Sequence, residues 1–338
     1  MQRSIWLLDH GASGHFAQIA GVADMLARAG IDLPQKIIPV SVSIPGWARA
    51  PLRSIGAHAP RAVVEPLLAA CHSIPALPDT PPALILGSSG TSAWTLRLLG
   101  WKTGAPTAFV GSWQPFPRDW FTYGLSPHGE GPQEVATDFL VSRMTPERVS
   151  AAAAERFGGP KPGTWALLVG ARSRSHPFDA EDWATLADSV NARARESGVR
   201  WLISTSPRTG AEAEAILAER IDPGAIDALV LWGRSPDKCA AAFMGAADRV
   251  FVTRDSLTML AEAIASGKPA TAIAPRDPRL EEGYYLRMLA RMREAGWLEE
   301  VTCAGLATGA VPGGQADPAR FAARESAIVA LLAPCFAS

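Results

Sequence analysis

The stretch Val252-Thr253-Arg254-Asp255-Ser256-Leu257-Thr258-Met259-Leu260-Ala261-Glu262-Ala263, closed by Gly267-Lys268-Pro269, reads as strand, polar turn, helix and stop. The apolar run Arg249–Thr253 predicts the strand, and the apolar spacing of Ser256–Ser266 predicts the helix. Asp255 or Ser256 caps such a helix. The unsatisfied N–H groups of its first turn and the positive end of its dipole suit a phosphate or diphosphate, which makes Asp255, Ser256 and Thr258 candidate ligands. Glu262 falls about two turns further along the same helix. The competing reading is a capped helix that carries a surface glutamate.

The same alternation extends on both sides. Downstream, Pro269–Ile273 reads as a strand, Glu281–Ala295 as a long helix and Pro318–Leu332 as a last helix. Upstream, strands Trp165–Val169, Arg200–Ser204 and Ala228–Leu231 alternate with helices Asp182–Glu196, Thr209–Arg220 and Pro236–Ala246. The pattern breaks at Gly158-Gly159-Pro160-Lys161-Pro162-Gly163, the strongest linker signal in the chain, which follows a short helix over Ala151–Arg156. Before it, strands Ile5–Leu8, Lys36–Val42, Leu84–Leu86 and Thr107–Gly111 alternate with helices over His15–Ala29 and up to about Leu99. Strands alternating with helices predict an α/β fold with parallel sheets covered on both faces. A chain of 338 residues suggests two domains. We place them at 1–150 and 164–315, with 316–338 as a C-terminal helix packing back on the first. Ligands of open α/β sheets sit at the carboxyl ends of the strands. Two Rossmann-like domains facing across a cleft are therefore expected, the first on the acceptor side and the second on the nucleotide-donor side. That layout resembles the GT-B glycosyltransferases.

Composition narrows the function. Hydrophobic residues make up 48% and charged residues 19%, enough to bury a full core. A net charge of −1 gives no global field toward nucleic acid or an anionic membrane. Cys71, Cys239, Cys303 and Cys335 match no zinc spacing, and we read them as small buried apolar residues in a reducing, cytoplasmic compartment. No window reaches the roughly 18 apolar residues of a membrane span, so a soluble protein with at most peripheral contact at the inner membrane face is expected. The segment Ile44–Arg53, with Arg61 beyond, mixes apolar and basic residues and reads first as a solvated loop, second as a membrane-facing one. The aromatic run Trp113–Tyr123 reads as core, with an acceptor pocket as the alternative.

Four further motifs fall at strand ends. In Gly170-Ala171-Arg172-Ser173-Arg174-Ser175-His176, backbone N–H groups, hydroxyls and two arginines suit a diphosphate; Gly170, Arg172 and Ser173 are the candidates. In Ser204-Thr205-Ser206-Pro207-Arg208-Thr209, Ser206 and Arg208 suit phosphate or base, and Lys238 is placed with them. Asp9-His10-Gly11-Ala12-Ser13-Gly14-His15 with Gln18 is not the dinucleotide G-x-G-x-x-G fingerprint. Its glycines, Gly11 and Gly14, admit a ligand close to the backbone, and His15 suits a general base with Asp9 as partner. Ser126-Pro127-His128-Gly129-Glu130 offers His128, a second histidine for the acceptor side. Each of these has a plain reading as a polar βα loop or a structural histidine.

In combination these residues resemble the "elongated mitochondria" fission family. Val252–Ser256, Met259, Glu262-Ala263 and Gly267-Lys268-Pro269 look like its hallmark, and Ser204–Thr209, Asp9–Gln18 and Pro127-His128 look like three of its other segments, in the right order from about residue 5 to 300. The opening glycine-histidine loop is also similar to that of the N-acetylglucosaminyltransferase completing the peptidoglycan lipid precursor. The chain departs from the family pattern at Gly87-Ser88-Ser89-Gly90-Thr91, where two arginines are usual, at Ala171, where a second glycine is usual, at Ser235-Pro236-Asp237, where Asn-Pro-Tyr is usual, and at His128-Gly129, where His-Asp is usual.

The resemblance implies a GT-B-like fold and, for bacterial members, transfer of a sugar from a nucleotide-sugar to an envelope glycan or lipid-linked acceptor. No cofactor is expected, and no Asp-x-Asp motif suggests a metal. Under this reading Gly170, Arg172, Ser173, Ser256 and Thr258 hold the diphosphate, Glu262 the ribose, and Arg208 and Lys238 assist. His15 and Asp9 are catalytic. Gly11, Gly14, Gln18, Ser89 and His128 face the acceptor. The first alternative is a non-catalytic scaffold for a protein partner, as the plant member's recruiting role suggests. The second is a sugar-nucleotide epimerase using Asp9, His15 and His128.

Overall fold

The computed structural model describes residues 3–74, 76–127, 129, 131–171, 176–278, 283–311, 313–315 and 317–337. The chain folds into two compact units, Met1–Arg143 with Phe321–Ser338, and Met144–Arg320.

The first unit runs β1 (Ile5–Asp9), α1 (Ser13–Arg28), β2 (Gln35–Pro39), β3 (Ser41–Val42), α2 (Gly46–His58), α3 (Arg61–Ala70), β4 (His72–Ser73), β5 (Leu84–Gly87), α4 (Gly90–Thr103), β6 (Thr107–Val110), β7 (Tyr123–Ser126) and β8 (Glu134–Ala136). Its sheet is parallel in the order β2-β1-β5-β6-β7-β8. β1 shows why it is central. Trp6 and Leu8 enter one apolar cluster with Trp94 and Phe109, while Ile5 and Leu7 enter another with Ile19 and Leu26. Four consecutive apolar positions, Ile5 to Leu8, are the signature of a parallel strand buried on both faces. The second cluster also takes Ile328, Leu332 and Cys335 from the chain's last segment.

The second unit runs α5 (Pro146–Phe157), β9 (Thr164–Leu168), α6 (Ala180–Ser197), β10 (Arg200–Ser204), α7 (Ala211–Arg220), β11 (Ile226–Val230), α8 (Ala240–Ala246), β12 (Arg249–Thr253), α9 (Leu257–Ala265), β13 (Ala270–Ala274), α10 (Tyr284–Glu294) and β14 (Glu299–Thr302), followed by α11 (Pro318–Leu332), which passes into the first unit. Its parallel order is β11-β10-β9-β12-β13-β14. The glycine-proline segment expected as a linker lies inside this unit, where Gly158 ends α5 at φ +78° and Lys161 N–H donates to Ala246 O at 2.8 Å.

Two expectations are corrected, and three strands of the six-stranded sheets are new. The strand read over Lys36–Val42 is two strands. β2 ends at Pro39, Val40 N–H turns back to Asp9 O, and β3 pairs antiparallel with β4. The segment Ile44–Arg53, read first as a solvated loop, is helical from Gly46 in α2, and α3 beyond it was not foreseen, although Pro51 and Pro66 lie inside those helices. Packing of Leu52, Val64 and Leu68 on the core overrides the local breaker signal. The polar edge strands β8 and β14, and β7, which starts at the last residue of the aromatic run, were not foreseen. Trp113, Phe116, Trp120 and Phe121 of that run are core.

Where α5 meets α8, Gly245 abuts the Val149 carbonyl, and a β-carbon there would overlap it. Gly245→Ala is expected to cost about 2 kcal/mol by overpacking, read from the urea midpoint of the whole chain.

Candidate functional sites at the two switch points

In each sheet the chain leaves the centre one way and then the other. In the second unit it runs from β9 through β10 to β11, then from β12 through β13 to β14, so the switch point lies between β9 and β12. In the first it lies between β1 and β5. Loops at the carboxyl ends of strands beside a switch point part and leave a crevice, which is where such sheets bind ligands.

At the second unit's switch point the loops after β9, β10 and β12 are tied together. Gly170 N–H donates to Thr253 Oγ1 at 2.6 Å and Ala171 N–H to Asp255 Oδ2 at 2.7 Å. Ser206 Oγ donates to Gly170 O at 3.2 Å, and Thr209 Oγ1 donates to Val169 O at 3.1 Å. A β-carbon on Gly170 would strike the Asp255 carboxylate, which is why a glycine stands there. The Gly170 N–H, expected to meet a diphosphate, is therefore spent inside the protein, as is that of Ala171. Asp255 does not cap the helix. Ser256 does, its Oγ accepting the Met259 N–H at 3.4 Å. Leu257 and Thr258, at the helix start, keep N–H groups outside the intrahelical ladder.

Burial lifts Asp255 to about 6. Glu262, one turn beyond Thr258 on the same helix face, is half-buried; desolvation alone lifts it to about 7, and it has no hydrogen-bond or ion-pair partner among the described residues. Arg208 is exposed on the loop after β10 and favours the ionised form of Asp255. Lys238 lies in the segment that follows β11, the outer strand. Arg172 and Ser173 lie outside the described residues.

Beneath this rim is a network the sequence did not announce. Arg254, 5% exposed, donates from Nε to His176 Nε2 at 2.8 Å and from Nη1 to Glu300 Oε1 at 2.6 Å. The Tyr285 ring lies 4.8 Å from that of His176. Burial, and then Arg254, lower His176 to about 4, so it is neutral and accepts from the arginine. Arg254 Nη2, Asp255 Oδ1 and the Tyr285 hydroxyl are buried without a hydrogen-bond partner among the described residues. Three orphaned polar atoms so close to one turn mark a place built for something polar.

At the first unit's switch point the loop after β1 meets the loop after β5. Asp9 Oδ1 accepts the Gly11 N–H at 2.8 Å, and Gly11 takes φ +87°. That bond folds the turn; among the described residues Asp9 makes no hydrogen bond to His15. The partners of His15 are His10, whose ring is 5.3 Å away, and Ser88, whose Oγ lies 3.3 Å from Nδ1. Ser88 Oγ donates to Gln18 Oε1 at 3.4 Å, and Gln18 Nε2 to Gly14 O at 3.5 Å. The direction of this chain sets the tautomer. If Ser88 gives its proton to Gln18, its oxygen accepts from His15 Nδ1–H, which leaves Nε2 of His15 with a free lone pair. Partial burial of the ring, and then His10, lower the His15 pKa. Ser89, at φ +90°, caps α4 by accepting the Ser92 N–H, and its hydroxyl is 2.8 Å from His10 Nε2. His10 and Ser88 were read only as part of their motifs. The signal that names them is their place just after β1 and β5, which needs the strand order. His128 lies outside the described residues.

Two parallel six-stranded sheets with interleaved helices define a GT-B fold. The chain belongs to the family described as Mitochondrial fission ELM1, whose model matches residues 13–327. No curated protein matches the sequence. Among solved structures it is similar to MnaA of S. aureus in a co-structure with UDP, at 11% identity and a TM-score of 0.50 over 98% of this chain and 91% of that one. It is similar to the UDP-GlcNAc 2-epimerase of Methanocaldococcus jannaschii in complex with UDP-GlcNAc and UDP, at 12% identity and a TM-score of 0.50 over 99% and 100%. It also resembles MurG of Acinetobacter baumannii, at 11% identity and a TM-score of 0.47 over 98% and 94%. At such identities the likeness is one of fold.

Proposed function

We propose that the chain transfers a sugar from a nucleotide-sugar donor to a hydroxyl of an envelope glycan or lipid-linked acceptor. The observation that carries this is Glu262. Its half-buried carboxylate is held well above the ordinary range by its surroundings and has no hydrogen-bond or ion-pair partner among the described residues; it lies about two turns into the helix that Ser256 caps, at a switch point. Two ribose hydroxyls donating to it would make charge-assisted hydrogen bonds and stabilise its ionised form. The Leu257 and Thr258 N–H groups, the α9 dipole and Arg208 supply the positive field that a diphosphate needs. Two neighbours of the same fold were solved with UDP, which makes uracil the first base to test.

In the transfer, His15 Nε2 takes the acceptor hydroxyl proton, the acceptor oxygen bonds to the anomeric carbon, and the bond from that carbon to the phosphate oxygen breaks with its electron pair on the diphosphate. The developing charge falls where the helix N-terminus and Arg208 stabilise it. A second reading, epimerisation of the donor sugar, is favoured by the close His10–His15 pair. Proton NMR of a nucleotide-sugar incubated without acceptor separates the two, because only an epimerase changes it to a second sugar.

The test of the site is calorimetry and thermal shift with UDP, GDP, CMP, dTDP and ADP. One nucleoside diphosphate is expected to bind. Saturation at about 100 times its Kd adds roughly 2.7 kcal/mol of stability. Silence from every nucleotide on folded protein rejects the reading in favour of a scaffold for a protein partner.

A further inference from the structure

Five large hydrophobic side chains stand exposed among the described residues, and four of them, Trp47, Ile55, Val63 and Leu67, belong to α2 and α3. Their spacing is the informative part. In α2, Ala48, Leu52 and Gly56 turn toward the core, Gly56 lying against Trp120. Trp47, Pro51 and Ile55, each one residue earlier, form a second stripe facing out. In α3, Val64 and Leu68 are buried while Val63 and Leu67 repeat the outward stripe. A helix that packs on a core from one stripe needs polar residues on the other. These two helices are apolar on both, and Trp47 is 82% exposed.

The charge around the stripes is one-sided. α2 carries Arg49, Arg53 and His58 and no acidic residue. Arg49 donates from Nε to Ile44 O, and Arg53 lies over the Phe116 ring; neither meets a carboxylate among the described residues. In α3, Arg61 is paired with Glu65. The whole chain has a net charge of −1, so this positive patch is local. An outward tryptophan with isoleucine, valine and leucine, flanked by arginines that meet no carboxylate, is the composition of a helix lying in the headgroup layer.

We propose that α2 and α3 dock the protein on an anionic lipid surface, with Trp47, Ile55, Val63 and Leu67 entering the acyl boundary and Arg49 and Arg53 meeting phosphate headgroups. The inference is independent of the nucleotide reading. No helix among the described residues is long and apolar enough to cross a membrane, and the contact proposed is peripheral.

Co-sedimentation of the full chain with vesicles tests it, using phosphatidylcholine alone and phosphatidylcholine mixed equally with phosphatidylglycerol. Binding to the anionic vesicles is expected to exceed that to the neutral ones by about tenfold and to weaken with salt. Trp47→Ser with Ile55→Ser should lower it about tenfold or more, and Arg49→Gln should lower it by about fivefold, each variant being compared with wild type well below its own melting temperature. Equal binding to both vesicles, no binding to either, or a concentration-dependent dimer that Trp47→Ser and Ile55→Ser abolish would each overturn the proposal, the last by assigning the face to a second copy.

Discussion

Glu262→Gln is expected to make the protein more stable and less able to bind its nucleotide. The stability half follows from linkage. Desolvation raises the folded-state value from 4.5 to about 7. Below about pH 4.5 both states are protonated and the residue costs nothing. As pH rises toward 7 the unfolded chain ionises first, and stability falls. Above 7 the loss is complete, about 3 kcal/mol for a shift of this size. Glutamine carries no charge to bury, so the variant should exceed wild type by about 2–3 kcal/mol at pH 8 and equal it near pH 4, read from urea midpoints. The binding half has the opposite sign. A carboxylate accepting two ribose hydroxyls makes charge-assisted hydrogen bonds, and their loss should weaken UDP by roughly ten- to hundredfold. Wild-type affinity should also rise with pH through 7, while that of the variant stays flat. A variant that binds as wild type does, or that is less stable at pH 8, removes Glu262 from the site.

That trade-off was only half legible in the sequence. The strand–turn–helix around Asp255 could be read because β12 is apolar, Ser256 is a good cap and Gly267 stops the helix, all local signals. Glu262 could be placed by helical spacing, but its desolvation could not, since that depends on what the fold lays over it. The loop ties were hidden for the same reason. Gly170 and Asp255 are far apart in sequence and adjacent only because β9 and β12 pair. The Arg254–His176–Glu300 network joins the turn after β12, the loop after β9 and β14, an edge strand whose polar composition gave no strand signal. α2 was misread and α3 missed, since Pro51 and Pro66 are strong local breakers while the packing that overrules them is tertiary.

His15→Ala is expected to cut turnover of a nucleotide-sugar donor by about 10²–10⁴-fold with little change in nucleotide affinity, because the base acts on the acceptor. Release of the nucleoside diphosphate reports turnover, and calorimetry reports affinity. The first unit's geometry makes the prediction sharper than loss of a histidine alone. A lowered pKa keeps His15 neutral, so activity should rise with pH along one ionisation below 6.5 and then level. Ser88 touches His15 only at Nδ1 and serves to hold the proton there, with its own proton on Gln18. Ser88→Ala should then cost about tenfold in kcat, leave KM for the donor unchanged and leave the protein folded, as expected when a ring loses its tautomer rather than its place. Ser88→Thr, which retains the hydroxyl, should recover most of that loss. Were Ser88→Ala as active as wild type while His15→Ala is dead, the histidine would act without this relay. Were both fully active, the catalytic assignment of the first unit would move to His10, whose Nε2 faces the Ser89 hydroxyl across the same turn.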